Sequence, residues 1–352
     1  MKKIQFIILL AVFCFTLQVP LFAQPKDLVI YTWEEMFPEE ILAAFERDNP
    51  DLKIVYKTFE ENEEMLDELI RTQGGEYDLV IADDYIVGLV THPNFALAQK
   101  LDKNKISNIY NVDYFYQYQF YDPLNEYTIP YGAGIQTILY DPARIKLDVK
   151  GYADLWHSSL RNRVGIIGNY RVINGMALKT LGKHYNTGIV ADISNAGDRL
   201  KSLVTNLRYI KEFGLEEDLI EGRISIAVMY SDMVTRARQA RPDLKVVYPN
   251  EGIGFGILPA FIPVNAPNPD GAHRFLEYIL DPERGAQCFE YVGYYCTFSG
   301  SREHIDPELL EFLTLPDLHS FEMIENIAQD AEDEHFRIWS EFMSAFSSKP
   351  IF

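Results

Sequence analysis

Residues 28–50, LVIYTWEEMFPEEILAAFERDNP, decide how the rest of the chain is read. Leu28-Val29-Ile30-Tyr31 is a short apolar run of the kind a buried strand needs. It breaks at Thr32-Trp33-Glu34-Glu35, and Pro38 with Glu39 and Glu40 then opens a helix. Proline suits the first helical turn, where its missing N–H leaves no partner unsatisfied, and acids there face the positive helix end. Ile41, Leu42 and Phe45 supply the apolar stripe. Trp33 therefore sits where a strand hands over to a helix, at the strand's carboxyl end. Open α/β sheets bind their ligands at that edge. The competing reading makes Trp33 an ordinary core tryptophan.

The pattern then repeats. Residues 52–56 read as a second strand, residues 60–73 as a helix stopped by Gly74-Gly75, and residues 77–82 as a third strand. Strand–helix–strand–helix–strand is the signature of a parallel sheet with right-handed crossovers. Asp83, Asp84 and Tyr85 occupy the same kind of edge as Trp33. Ile129-Pro130-Tyr131 and the glycine-rich segment after it suit a crossing between two lobes. Residues 163–167 form a strand, with Gly168-Asn169-Tyr170-Arg171 as the loop at its end. Residues 176–184 and 198–213 read as helices, the second with Leu200, Leu203, Leu207 and Ile210 in register. The strand at 224–230 brings Tyr230 and Asp232 to a further strand end, although Asp232 also suits a helix cap. Residues 254–257 are another strand, 259–263 an apolar return segment, and the tail at 309–346 is mostly helical.

With 352 residues the chain can bury a large core and build two lobes. Lys2-Lys3, an apolar run from 4 to 19 and Leu21-Phe22-Ala23 read as a signal peptide cut after Ala23, so an exported chain without direct membrane insertion is expected. Lys plus Arg number 32 and Asp plus Glu 52, a formal charge of −20, and loss of Lys2 and Lys3 makes it −22. Such a balance argues against nucleic acid or an anionic lipid surface as partner. Cys288 and Cys296 remain after cleavage, and both a disulfide and two buried thiols stay open. The histidines are scattered, so neither a metal site nor a cofactor is expected. No G-x-S-x-G, P-loop, H-E-x-x-H or C-x-x-C is present, and the glycines at 252–256 lack the later glycine of a dinucleotide loop. Catalysis is therefore not expected. The positive signal is aromatic and acidic residues recurring at strand ends, a set that suits a cationic ligand.

IYTWEEMFP, YDLVIADDY, IPYGAG, YADLW and Leu280-Asp281-Pro282 follow one another in an order that resembles the spermidine/putrescine-binding periplasmic proteins of bacterial ABC importers. The resemblance implies an α/β, two-lobed type II periplasmic binding protein fold with a hinge between the lobes. It further implies a periplasmic location, a small cationic ligand and an ABC importer permease as partner. Expected lobes are 26–131 plus 252–306, and 132–251 plus 307–352. The resemblance makes Trp33 and Tyr85 aromatic walls, puts Tyr230 where a tryptophan is usual, and gives Gln329 an amine contact. Asn169 and Val172 stand where the family places acids, and Gly256 and Leu258 where it has a tryptophan and an aspartate. The candidate ligand set is Trp33, Glu34, Asp83, Tyr85, Asn169, Tyr230, Asp232 and Gln329. One cationic group is expected on the Trp33/Asp83/Tyr85 side, with neutral contacts from Asn169, Tyr230 and Gln329 at the other end. That arrangement favours a monocation or zwitterion over spermidine. A sensing or surface role on the same scaffold is the alternative.

Overall fold

The computed structural model describes residues 24–316 and 321–349, so the signal peptide lies outside the described residues. The first lobe grows from the opening stretch. β1 (Lys26–Thr32) is followed by α1 (Glu39–Asp48), β2 (Leu52–Thr58), α2 (Asn62–Thr72), β3 (Leu79–Ile81) and α3 (Asp84–Val90). β1 lies between β2 and β3, parallel to both. Pro38 is the residue that caps α1 rather than part of its first turn. Side chains alternate across the sheet, so Leu28 and Ile30 enter one core with Phe45 and Phe275, while Tyr31 enters the other with Met65 and Phe261. α2 stops where Gln73 and Gly74 take left-handed backbone, and a Cβ on Gly74 would come within 2.9 Å of Pro263.

β4 (Thr128–Tyr140) is shared by both lobes. The second lobe contains β5 (Val164–Ile166), α4 (Tyr170–Thr180), α5 (Val190–Leu203), β6 (Leu207–Ile210), α6 (Leu215–Ile220), β7 (Ile226–Tyr230), α7 (Ser231–Ala240) and β8 (Lys245–Val247). β9 (Ile253–Phe261) returns, followed by α8 (Pro269–Ile279), α9 (Pro282–Val292), α10 (Pro307–Leu310), β10 (Phe321–Met323) and α11 (Gln329–Ser347). The strands run β2-β1-β3-β9-β4-β7-β5-β6, with β10 on β9 and β8 on β4. Residues 128–135 of β4 pair antiparallel with β9, and residues 136–140 pair antiparallel with β7. A single strand thus changes partners part-way along, between the two lobes. The second lobe has its own core, with Ile138, Ile166, Met176, Leu200, Val228 and Phe342.

Four expectations are corrected. Residues 198–213 are not one helix: α5 ends at Leu203, and Leu207–Ile210 is the edge strand β6, parallel to β5. Asn206 turns the chain there by donating its side-chain amide to the Leu155 and His157 carbonyls, at 2.8 and 3.0 Å. The ladder that β5 can offer then outweighs helical spacing. The helix expected at 176–184 starts at Tyr170 instead, because the Asn169 side chain accepts the Val172 N–H at 3.1 Å and so caps it. The expected break between 257 and 259 is absent, and β9 runs through Leu258 and Pro259. The tail carries a strand, β10, between its helices.

Candidate functional site

Asp83 follows β3 at its carboxyl end, but its side chain does not cap α3. Asn62, the first residue of α2, holds it from two sides. Asn62 Nδ2 donates to Asp83 Oδ2 at 2.8 Å, and Asn62 Oδ1 accepts the Asp83 N–H at 3.2 Å. Nδ2 also reaches the Tyr85 hydroxyl at 3.2 Å, and that hydroxyl donates to Glu63 at 3.1 Å. Burial pushes Asp83 up to about 6; the Asn62 bond opposes the shift and the Glu63 charge adds to it. Asp84 points elsewhere. Its carboxylate accepts the N–H groups of Tyr85 at 2.8 Å and Ile257 at 2.9 Å, which ties α3 to β9. The two neighbouring aspartates therefore have separate tasks.

The second lobe presents a matching edge. Tyr230 ends β7, and its hydroxyl donates to Glu212 Oε1 at 3.4 Å. Glu212 stands two residues beyond β6, facing Gly168 beyond β5, where a Cβ would lie 3.2 Å from Glu212 Oε2. Burial pushes Glu212 up to about 7, the Asp83 charge from the other lobe pushes further, and hydrogen bonds from Tyr230 and the Gly168 backbone pull back. Asp232 is buried in the first turn of α7. Its Oδ2 meets Arg236 at 3.1 Å, whereas Oδ1 is buried without a hydrogen-bond partner. Burial raises its pKa against the pull of Arg236, which also binds Glu216 at 2.9 Å. Tyr294, just past α9, packs on Gly132 of β4, where a Cβ would stand 3.0 Å from the ring. Tyr230 and Tyr294 are each pushed far up, by burial first and then by the charges of Asp83, Glu212 and Asp232. Three acids and two tyrosines from both lobes thus share one electrostatic neighbourhood.

Of the residues picked from sequence, Asp83, Tyr230 and Asp232 come together there, and Tyr85 adjoins them through Asn62. Trp33 is half-buried, its ring tilted against Phe59 at 4.4 Å between centroids, and packs on both cores of the first lobe. Asn169 spends its side-chain oxygen on the α4 cap. Glu34 is exposed, and Gln329 is exposed with its amide on Asp333 at 2.8 Å. Neither of these two hydrogen-bonds to the acid cluster. Glu212, Tyr294 and Asn62 were not singled out from sequence. The strand-end rule would have found Glu212 had β6 been recognised. The lobe 2 edge is consequently not neutral, contrary to expectation, because Glu212 supplies a carboxylate beside Tyr230. Cys288 and Cys296 are buried free thiols. Among the described residues no group of three or more His, Cys, Asp or Glu is arranged to hold a metal ion.

Residues 40–309 match the profile of the bacterial extracellular solute-binding protein family. The chain belongs to that family. A spermidine/putrescine-binding periplasmic protein of Salmonella typhimurium is 31% identical over 287 residues, 80% of each chain. Its counterpart of the same description from Escherichia coli K12 is 31% identical over 295 residues, 82% of this chain and 83% of that one. The crystal structure of a spermidine/putrescine ABC transporter substrate-binding protein from Streptococcus pneumoniae superposes with a TM-score of 0.79 at 26% identity, covering 91% of this chain and 99% of its own. As a solute-binding protein, the chain has the type II periplasmic binding protein fold and is not an enzyme. Its task is to bind a small molecule, with an ABC permease as the family's partner.

Proposed function

We propose that this solute-binding protein captures a small organic cation of the polyamine class outside the cytoplasm and delivers it to an ABC importer. The observation that carries this reading is that each lobe brings an acid and a tyrosine to a strand end, Asp83 with Tyr85 through Asn62 and Glu212 with Tyr230, while Asp232 of the second lobe packs beside Gly293, next to Tyr294 of the first. Neither Asp83 nor Glu212 has an ion-pair partner among the described residues, and Arg236 is shared by Asp232 and Glu216. Ammonium groups would supply the missing positive charge, and aromatic faces attract cations. The relatives from Salmonella typhimurium and Escherichia coli are spermidine/putrescine-binding proteins, which supports it. With Glu212 in the site, a dication fits better than a zwitterion. The lobes that close are 26–131 plus 252–323, and 132–251 plus 324–349, with β4 and β9 as the crossings; the boundary expected at 307 moves, since Leu313 is buried in the first lobe's core and β10 pairs with β9.

The test is a thermal-shift and calorimetry panel of putrescine, spermidine, butylamine and γ-aminobutyrate. A ligand at 100 times its Kd stabilises the folded state by about 2.7 kcal/mol, so true ligands stand out. Diamines should raise the melting temperature more than butylamine or the zwitterion. A panel in which neither putrescine nor spermidine raises the melting temperature more than butylamine or γ-aminobutyrate rejects the reading.

A further inference from the structure

We propose that Glu212 is the specificity-determining carboxylate of the cleft, paired with Asp83 across the lobes so that one cationic group bridges both when the lobes close. This rests on the reading of the cleft as a cation site. Four observations lead to it. Glu212 and Asp83 come from opposite lobes, each just past a strand end, β6 and β3. Each is held by neutral donors, Asp83 by Asn62 at 2.8 Å and Glu212 by Tyr230 at 3.4 Å. Such bonds aim a carboxylate without neutralising it. The nearest basic side chain in sequence, Lys211, is committed to the buried Asp218 at 2.5 Å. Gly168 keeps the space that the Glu212 carboxylate occupies.

A further buried atom points the same way. Asp232 is 9% exposed, and its Oδ1 has no partner although Oδ2 is bound to Arg236. The same tyrosines, Tyr230 and Tyr294, lie under the influence of Asp232 as of the Asp83/Glu212 pair. Unpaired buried acceptors are costly, and a ligand N–H satisfies one at no cost to the fold. Without a cation, bringing Asp83 and Glu212 together sets two like charges against each other in a poorly solvated space. Glu212 therefore does two things in this proposal. It selects for positive charge, and it disfavours closure on an empty or neutral-filled cleft.

The experiment uses the mature full chain and compares wild type, Glu212→Gln, Asp83→Asn, the double variant and the exposed control Glu217→Gln. Calorimetry with putrescine at pH 8 should show a loss of tenfold or more for each single variant and none for the control. The double variant should lose clearly less than the product of the two, because a single bridging group contacts both acids. A Glu212→Gln variant that binds putrescine like wild type, or full additivity in the cycle, overturns the proposal. Small-angle scattering of the ligand-free proteins supplies an arm that needs no ligand. Glu212→Gln should be more compact than wild type at pH 8, and superposable curves overturn the proposal. Wild type that ignores every amine while Glu212→Gln compacts rejects the proposed function and supports the role of Glu212 in closure. Should Glu212→Gln misfold, Tyr230→Phe, which removes the hydroxyl that aims Glu212, serves in the calorimetry arm with the same expected direction, and Asp83→Asn, which removes the opposing charge, serves in the scattering arm.

Discussion

Asn62 and Asp83 are joined by a reciprocal pair of hydrogen bonds, side-chain amide to carboxylate at 2.8 Å and backbone N–H to side-chain oxygen at 3.2 Å. The first residue of α2 thereby fixes the acid that follows β3. Replacing Asn62 with Leu keeps the volume and removes both partners. A buried acceptor left unpaired costs about 1–3 kcal/mol. Asn62→Leu should lower the melting temperature of the ligand-free protein and also weaken putrescine binding, because Asp83 is no longer aimed. Calorimetry and thermal melts read the two effects. Unchanged affinity would show that Asp83 is placed by the backbone alone.

Gly175 lies inside α4, where alanine normally improves a helix by about 1 kcal/mol. A Cβ at this position would overlap the ring of Tyr185, which is 1% exposed. Overpacking costs about 1–3 kcal/mol, so the sign reverses. Gly175→Ala should be less stable in urea unfolding than wild type. A stabilised variant would mean that the Tyr185 loop yields freely.

Arg171 and Glu332 meet at 2.6 Å with side chains only 3% and 19% exposed, and Arg171 also donates to the Glu325 carbonyl at 3.0 Å. The pair fastens α4 to α11, and so secures the C-terminal helix to the second lobe. Removing one member of a buried pair strands the other charge, at about 3–5 kcal/mol. Arg171→Met should lose that much in denaturant titration, whereas exposed pairs such as Arg47–Asp48 contribute little. A loss no larger than that of Arg47→Ala would show that water reaches Glu332.

The first lobe was legible because its signals are local. Leu28 and Ile30 alternate with Tyr31, acids and Pro38 mark the start of α1, and Gly74-Gly75 marks the end of α2. Asp83 was found by the same logic, since it follows a short apolar run. The second lobe hid its own acid. Leu203, Leu207 and Ile210 have helical spacing, and what makes Leu207–Ile210 a strand is the free edge of β5, which no local pattern records. Reading that stretch as helix put Glu212 on a helix face instead of at a strand end. Asn62 was hidden differently. A polar residue at a helix start reads as a cap, and only the tertiary structure turns it toward Asp83.

Cys288 and Cys296 are free and buried, and burial pushes both thiols up to about 12. Thiolate is the reactive form, so both should be inert in the native state. A thiol reagent should label neither residue in the folded mature protein and both after unfolding, without prior reduction. The melting temperature should not respond to dithiothreitol. Label that appears only after reduction would reveal a disulfide.

The pH response should run in opposite directions with and without ligand. In the ligand-free protein Glu212 is raised to about 7 and Asp83 to about 6, above the ordinary values of 4.5 and 3.8. The native state therefore holds more protons than the unfolded chain between about pH 4 and 7. Through these two groups, stability should fall as pH rises across that window and level off above it. The charges facing them are Glu63 on Asp83, and Asp83 and Asp232 on Glu212, with Tyr230 and the Gly168 N–H as neutral donors. Arg236 compensates Asp232 and Glu216, while Lys211 pairs with Asp218. Cation binding requires the ionised acids, so putrescine affinity should instead rise from pH 5.5 to 8 and then plateau. Binding at pH 6.5 should release protons, which calorimetry in buffers of different ionisation enthalpy measures directly. Glu212→Gln should flatten the upper part of the affinity profile, near 7, and leave the lower part, which belongs to Asp83. A profile unchanged by that substitution would assign the upper titration to another group.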